Sequence, residues 1–279
     1  MSDFKQEGLT KAIPMRLGLK LTKDQCPSEA DQYKPKTADM QKRYRSLVGS
    51  LLWINGTCRP DISFATMTLS KFMANPGHEH YQAALEVLRY LNGTVTLGIG
   101  YRSSGNRFPY GYCDSDFASD ESRRSCSGYM FMLAGGPISW KSKLQPKVSL
   151  STCEAEVRAV HTAYEGIREA VWLTKLIEEM GEFLSIEKSQ MSLSVLKHKA
   201  GPLEIFEDNQ AAIATTKNPT SHSRMKHIEP KLYWVRDMVN EGIIKLTYIR
   251  SLDQLADSFT KVCIGKESFL AHRAKYMVE

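Results

Sequence analysis

Paired cysteines and long apolar runs are both missing from this sequence. The six cysteines (Cys26, Cys58, Cys113, Cys126, Cys153, Cys263) are scattered and none forms a Cys-x-x-Cys pair. Neither a zinc site nor a disulfide framework is indicated, so free thiols in a reducing compartment are expected. No apolar run approaches the ~20 residues of a membrane helix, and Met1-Ser2-Asp3-Phe4-Lys5 has no apolar stretch of secretory type. An intracellular protein, cytoplasmic or nuclear and without membrane contact, is the expectation. The seven histidines lack His-Glu-x-x-His spacing, and neither Gly-x-x-x-x-Gly-Lys-Ser/Thr nor Gly-x-Ser-x-Gly occurs. Zinc hydrolase, phosphate-loop nucleotidase and serine-hydrolase chemistry are therefore unsupported.

What is present is a globular composition. Of 279 residues, 42% are hydrophobic, enough for one large or two modest domains. The net charge of +6 is uneven: residues 1–104 hold 14 Lys+Arg against 9 Asp+Glu, and residues 105–279 hold 23 against 22. A basic front half beside an acid-bearing back half suits an electrostatic platform joined to a metal site, and equally an ordinary solvated surface.

Periodicity divides the chain. Residues 1–39, with Pro14, Pro27 and Pro35, read as a mostly irregular arm. Residues 40–104 read as a helical block: one helix from near Asp39 to Gly56, a second after Arg59-Pro60-Asp61, and a third from Tyr81 to Asn92-Gly93. After Gly105 the pattern changes. Three short strands, Phe108 to Asp114, Ser127 to Leu133 and Ile138 to Lys141, form a meander around the Gly135-Gly136-Pro137 turn. A long helix from Ser151 to Met180 and a polar connection over 185–201 come next. They are followed by a strand over Leu203–Phe206, helices at Asn209–Lys217 and Lys226–Glu241, a strand at Ile243–Ile249, and a last helix at Asp253–Lys261. The order predicts an α/β fold with a mixed five-stranded sheet over residues 105–265, flanked by helices. Residues 266–279 are left as a C-terminal tail.

Four acids fall where this fold would gather them. Asp114 shares the face of Tyr110 and Tyr112 at a strand end, where an acid also serves as a turn former. Ser151-x-x-Glu154 is a capping box, which occupies Glu154. Stepping from Glu156 gives Val160, Ala163 and Ile167, so Glu156 points inward. Asp208 joins a strand end to a helix start, a preferred ligand position in open sheets and also an N-cap position. Asp253 and Asp257 are neighbours on one helix face, either a solvated acidic face or a repelling pair that a cation would relieve. Acids buried without partners are costly, and four converging acids suggest divalent cations, the usual agents of phosphodiester hydrolysis. Ser122-Arg123-Arg124-Ser125 and Ser223-Arg224-x-Lys226-His227 are basic, hydroxyl-rich clusters that suit phosphates or solvated loops.

A specific resemblance covers these residues. The motifs are Tyr112-Cys113-Asp114-Ser115-Asp116-Phe117-Ala118, Ser127-Gly128-Tyr129, Ile138-Ser139-Trp140-Lys141-Ser142-Lys143, Leu150-Ser151-Thr152-x-Glu154-Ala155-Glu156, Asp208-Asn209-Gln210, Lys226-His227-Ile228 and Gln254-Leu255-Ala256-Asp257-x-Phe259-Thr260-Lys261. Over residues 108–262 they resemble the ribonuclease H region of copia-type retrotransposon Pol polyproteins. Upstream, Tyr44-Arg45-Ser46-Leu47-Val48-Gly49-Ser50-Leu51, Arg59-Pro60-Asp61-Ile62 and Leu88-Arg89-Tyr90-Leu91-Asn92-Gly93-Thr94 resemble the thumb and connection segment of the reverse transcriptase. The resemblance implies a ribonuclease H-like domain behind a small helical connection domain. It implies a nuclease that cuts the RNA strand of RNA–DNA hybrids with two Mg2+ ions, Mn2+ substituting, held by Asp114, Glu156, Asp208 and Asp257. Arg124, Asn209, Gln210, Arg224 and Lys226 would contact the nucleic acid. The polymerase part of Pol would be a further partner, since no Tyr-x-Asp-Asp motif is present. No histidine lies between Ile249 and Asp253, and Asp253 stands where the family often has asparagine. Both departures bear on turnover. Two other readings stay open: a non-catalytic nucleic-acid-binding remnant, and DNA strand transfer on the same fold.

Overall fold

The computed structural model describes residues 10–106, 108–116, 123–148, 164, 166–169, 171–173, 175–176, 179–180, 201–217, 229–261 and 264–279. The amino-terminal helices are α1 (Glu29–Gln32), α2 (Pro35–Thr57), α3 (Ser63–Ser70) and α4 (His78–Asn92). The second of these begins earlier than the expected Asp39. Pro35 occupies its first turn, where the missing amide hydrogen costs nothing and φ is already helical. Tyr44, Leu47, Val48 and Leu51 recur at helical spacing and are buried against Ile62, Ala65 and Leu69 of the next segment and Ala83, Ala84, Val87 and Tyr90 of α4. Met15 and Leu21 of the irregular arm seal the same core. At the start of α4, His80 is fully buried and stacked on Phe72. Its Nδ1 accepts the Gly77 N–H at 2.9 Å while Nε2 faces the Thr22 carbonyl at 3.1 Å, so a neutral ring satisfies both.

Arg59 and Asp61 form a second anchor. The guanidinium makes a bidentate pair with the carboxylate at 2.9 and 2.7 Å and also donates to the Thr94 carbonyl. Tyr90 Oη donates to the same carboxylate. Both charges are buried, and such a pair is stable only when the remaining hydrogen-bonding positions are filled, as they are here.

The sheet is five-stranded and mixed, in the order β3-β2-β1-β4-β5. Strands β1 (Tyr110–Asp116), β2 (Arg124–Leu133) and β3 (Gly136–Val148) form the expected antiparallel meander, while β4 (Leu203–Glu207) and β5 (Ile244–Tyr248) run parallel to β1. Helices α5 (Gln210–Lys217) and α6 (Glu229–Asn240) follow β4, and α7 (Asp257–Thr260) and α8 (Lys266–Tyr276) follow β5. This is a ribonuclease H-like arrangement.

Alternation along the strands makes two cores. Cys113, Tyr129, Phe131, Leu203 and Ile205 face one side, where Ile167 and Leu173 of the helical residues between 164 and 180 and Val235 of α6 cover them. Met130 and Met132 face the other side with Tyr110 and Tyr112, under Leu255, Phe259, Tyr276 and Met277. Residues 266–279, read as a tail, thus contain a helix. Its Phe269 reaches the helical core, its Arg273 donates to Tyr90 Oη at 3.0 Å, and Val278 pairs with Gly98. Trp140 Nε1 donates to the Asn55 carbonyl at 2.9 Å, a second tie between the sheet and the helical unit.

Candidate metal centre

Strands β1 and β4 are neighbours and parallel, so their carboxyl ends lie side by side. Asp114 continues the Tyr110–Tyr112 face. Asp208, one residue past β4, continues the face of Phe206, whose ring packs on Tyr112 at 5.2 Å. Both acids therefore emerge from the same side at the same end of the sheet. Helix α7 crosses that side and begins with Asp257. Each of the three acids offers an oxygen within 4.8 Å of the others. Asp114 and Asp257 are buried, 4% and 7% exposed, and Asp208 is half-buried.

The approach of α7 depends on Gly128 of β2, the cross-strand partner of Asp114. A Cβ built there would lie 2.7 Å from Phe259 Cβ and 2.8 Å from Thr260 Cγ2. Only a residue without a side chain lets α7 rest on the sheet at this height. Thr260 then donates its hydroxyl to Asp114 Oδ2. Lys261 Nζ lies 2.6 Å from Asp257 Oδ1 and 3.8 Å from Asp114 Oδ2. Ser251 Oγ donates to Asp208 Oδ2 at 2.6 Å.

The electrostatics follow from crowding like charges out of water. Burial pushes the Asp114 carboxyl up to about 6, with Lys261 pulling the other way and Asp257 adding to the rise. Asp257 is raised by burial against its hydrogen bond from Lys261. Burial pulls Lys261 down, but Asp114 and Asp257 outweigh it and hold the ammonium above its ordinary range. Three oxygen donors with one ammonium among them suit a hard divalent cation, and the donor set could hold a metal ion.

The other expected residues divide. Glu156, Glu154, Arg224 and Lys226 lie outside the described residues. Asn209 uses its Oδ1 to accept the Ala212 N–H at 3.1 Å. Asn209 is therefore the N-cap of α5, and Asp208 is left for the centre. Gln210 is exposed at the first turn of α5, and Arg124 is half-buried at the start of β2. The helix expected over Asp253–Lys261 is two pieces: a single 3-10 turn at Ser251–Asp253, then α7. Gln254 is extended between them, so Asp253 and Asp257 do not share a helix face. Asp253 pairs instead with Arg250 at 2.7 Å and Lys275 at 3.4 Å.

Thr260, Lys261 and Gln254 belong to the Gln254–Lys261 motif, but the motif alone assigns them no role. Lys261 had a usable signal, since a lysine four residues after an acid is its helical neighbour. Glu207 had none. It is buried on the opposite face, its Oε1 accepts the Asn209 N–H at 3.3 Å, and Oε2 has no partner among the described residues. Burial, with Asp114 nearby, raises its carboxyl well above the usual range.

No family model and no solved structure matches the chain. Curated relatives do. Over 252 residues, 90% of this chain, it is 38% identical to the retrovirus-related Pol polyprotein from transposon TNT 1-94 of Nicotiana tabacum, covering 17% of that protein. Over 219 residues, 78% of this chain, it is 38% identical to the corresponding polyprotein from transposon RE1 of Arabidopsis thaliana, covering 14% of it. Over 132 residues, 47% of this chain, it is 46% identical to secreted RxLR effector protein 161 of Plasmopara viticola, covering 91% of that protein. The chain thus spans a small part of the polyproteins it matches along most of its own length. The relatives that it matches along most of its length are copia-type, retrovirus-related Pol polyproteins of transposons.

Proposed function

We propose that this chain is a magnesium-dependent ribonuclease H that cuts the RNA strand of RNA–DNA hybrids. The observation that carries the proposal is the convergence of Asp114, Asp208 and Asp257 at the carboxyl end of adjacent parallel strands. Asp114, Asp208 and Asp257, joined by Glu156, would hold two Mg2+ ions, with Mn2+ able to replace them. When bound, such ions activate a water and stabilise the leaving oxygen of a phosphodiester. The chain's own residues prepare that site. Thr260 fixes one carboxylate oxygen of Asp114 and Ser251 one of Asp208. Lys261 neutralises part of the charge until cations enter. Ile167 is buried against the sheet, as the sequence spacing that counts forward from Glu156 expects of that position.

One exposed face of α2, carrying Arg45, Ser46, Gly49, Ser50 and Trp53, supports hybrid binding by the helical unit. Trp53 is 70% exposed there. An aromatic ring and a guanidinium beside small residues suit a sugar–phosphate surface. The polymerase part of Pol is the proposed protein partner, and Arg124 and Gln210 are proposed hybrid contacts. Among the described residues no helix is long and apolar enough to cross a membrane.

The test is cleavage of a labelled RNA–DNA hybrid in Mg2+, with and without chelator. We expect cleavage in Mg2+ only, and its loss in Asp208→Asn with an unchanged circular-dichroism spectrum. A variant cutting as fast as the parent would refute the site. Hybrid binding without cleavage in either Mg2+ or Mn2+ would select a non-catalytic role. Product from duplex DNA and none from hybrid would select strand transfer.

A further inference from the structure

Gln254 is an uncharged side chain that touches all three backbone segments carrying the acids. It is fully buried, 0% exposed. Its Nε2 donates to the Cys113 carbonyl at 2.9 Å and the Phe206 carbonyl at 3.4 Å, and its Oε1 accepts the Ala256 N–H at 3.2 Å. Cys113 directly precedes Asp114, Phe206 lies two residues before Asp208, and Ala256 directly precedes Asp257. The β1–β4 register ends at Tyr112 and Phe206. The amide therefore sits where the two strands part, in place of the next rung of the ladder. Both of its N–H donors are used, and its oxygen is used once. A buried amide is tolerated only when bonded in this way.

We infer that Gln254 is the positioning residue that sets the spacing of Asp114, Asp208 and Asp257, and thereby the affinity of the centre for divalent cations. The inference rests on the metal-binding reading above. Without a cation, the three acids gain by moving apart, because like charges in a buried site repel. β1 keeps its pairing to β2 through Asp116 and β4 its pairing to β5 through Glu207, but nothing in the ladder ties β1 to β4 beyond Tyr112 and Phe206. One planar amide bonded to both strands and to the α7 segment opposes that spreading, as a rigid supporting group does for other metal ligands.

Mn2+ titration of the full chain, read by calorimetry and paired with thermal unfolding in chelator, tests the inference. Gln254→Met keeps length and removes both donors. We expect it to fold and to weaken Mn2+ binding about tenfold, the size of effect typical of residues that support metal ligands. Gln254→Asn keeps an amide on a shorter stem and should fall between parent and Gln254→Met. Hybrid cleavage lost by Gln254→Met at low Mg2+ should return as Mg2+ is raised. Gln41→Met is the control. It removes another buried glutamine, bonded to Asn75 Oδ1 at 2.8 Å in the helical unit. It should lower the unfolding midpoint and leave Mn2+ affinity unchanged. Gln254 variants that bind Mn2+ within about twofold of the parent would overturn the inference. So would failure of both variants to fold, because Gln254 would then be holding the sheet and not the acids. A parent that binds no Mn2+, or an Asp208→Asn variant that binds it equally well, would instead remove the metal reading, and this role with it.

Discussion

Asp114 and Lys261 show how single residues tune this centre. The folded pKa of Asp114, about 6, stands above its ordinary 3.8 because of burial. In the metal-free protein the fold thus favours the protonated acid. Its contribution is fully present below about pH 4 and is lost as pH rises through about 6, an effect on the order of 3 kcal/mol. Thermal midpoints in chelator should fall between about pH 4 and 6, and Asp114→Asn should flatten that fall. Asp257 and Glu207 shift in the same direction, so a residual slope should remain. Divalent cations should oppose the fall above about pH 6, where the ionised acids are free to bind them. Lys261, about a third exposed, competes with a cation for Asp257. Lys261→Met should tighten Mn2+ binding at about pH 8 roughly fivefold, the equivalent of ~1 kcal/mol for a partly exposed ion pair. Calorimetric titration at that pH checks it, and unchanged or weaker binding would contradict the competition.

At the scale of elements, the centre depends on how closely α7 lies on β2. Gly128 sets that distance, and its conformation is otherwise ordinary strand. Gly128→Ala would force Phe259 and Thr260 outward and carry Asp257 away from Asp114. Overpacking of this kind costs about 1–3 kcal/mol. The variant should lose that stability in urea titration and lose metal affinity as well, whereas a change on the β5 edge should lose neither. Gly166 makes the equivalent approach on the opposite face, where an added Cβ would lie 2.7 Å from Cys113 Sγ. The periodic elements were legible in the sequence. Alternation placed β1, short apolar runs placed β2 and β4, and turn residues marked the meander. The break at Gln254 was not legible, because Asp253 to Lys261 has acceptable helical spacing. A tertiary bond from the Gln254 side chain to two other strands overrides that local preference.

In the whole molecule, α8 joins the two units. Phe269 sits in the helical core, Tyr276 and Met277 lie under the sheet, and Arg273 reaches the buried Tyr90–Asp61 pair. Deleting residues 266–279 uncovers both cores at once. Truncation of one buried aromatic alone costs about 3–5 kcal/mol. The shortened chain should therefore show a much lower thermal midpoint and early proteolysis in both units, as followed by mass spectrometry. Loss of one unit with the other unchanged would show that α8 serves only one of them. Its amphipathic signal is weak, and its partners come from Gly98, Tyr90 and the sheet. Nothing local in residues 266–279 therefore distinguishes this helix from a tail.

Sequence alone determined the order of the five strands, the mixed sheet they form, and three acids, Asp114, Asp208 and Asp257, that lie on one side of it. Those properties are written in local periodicity and in short motifs whose residues lie close together along the chain. Tertiary structure decided which acids meet, that Asn209 caps α5 while Asp208 is left for the centre, and that Lys261, Thr260 and Gln254 complete the surroundings. Those roles rest on hydrogen bonds and charge pairs between residues as far apart as Cys113 and Gln254. Such partners become neighbours only when parallel strands align and a helix settles on a glycine.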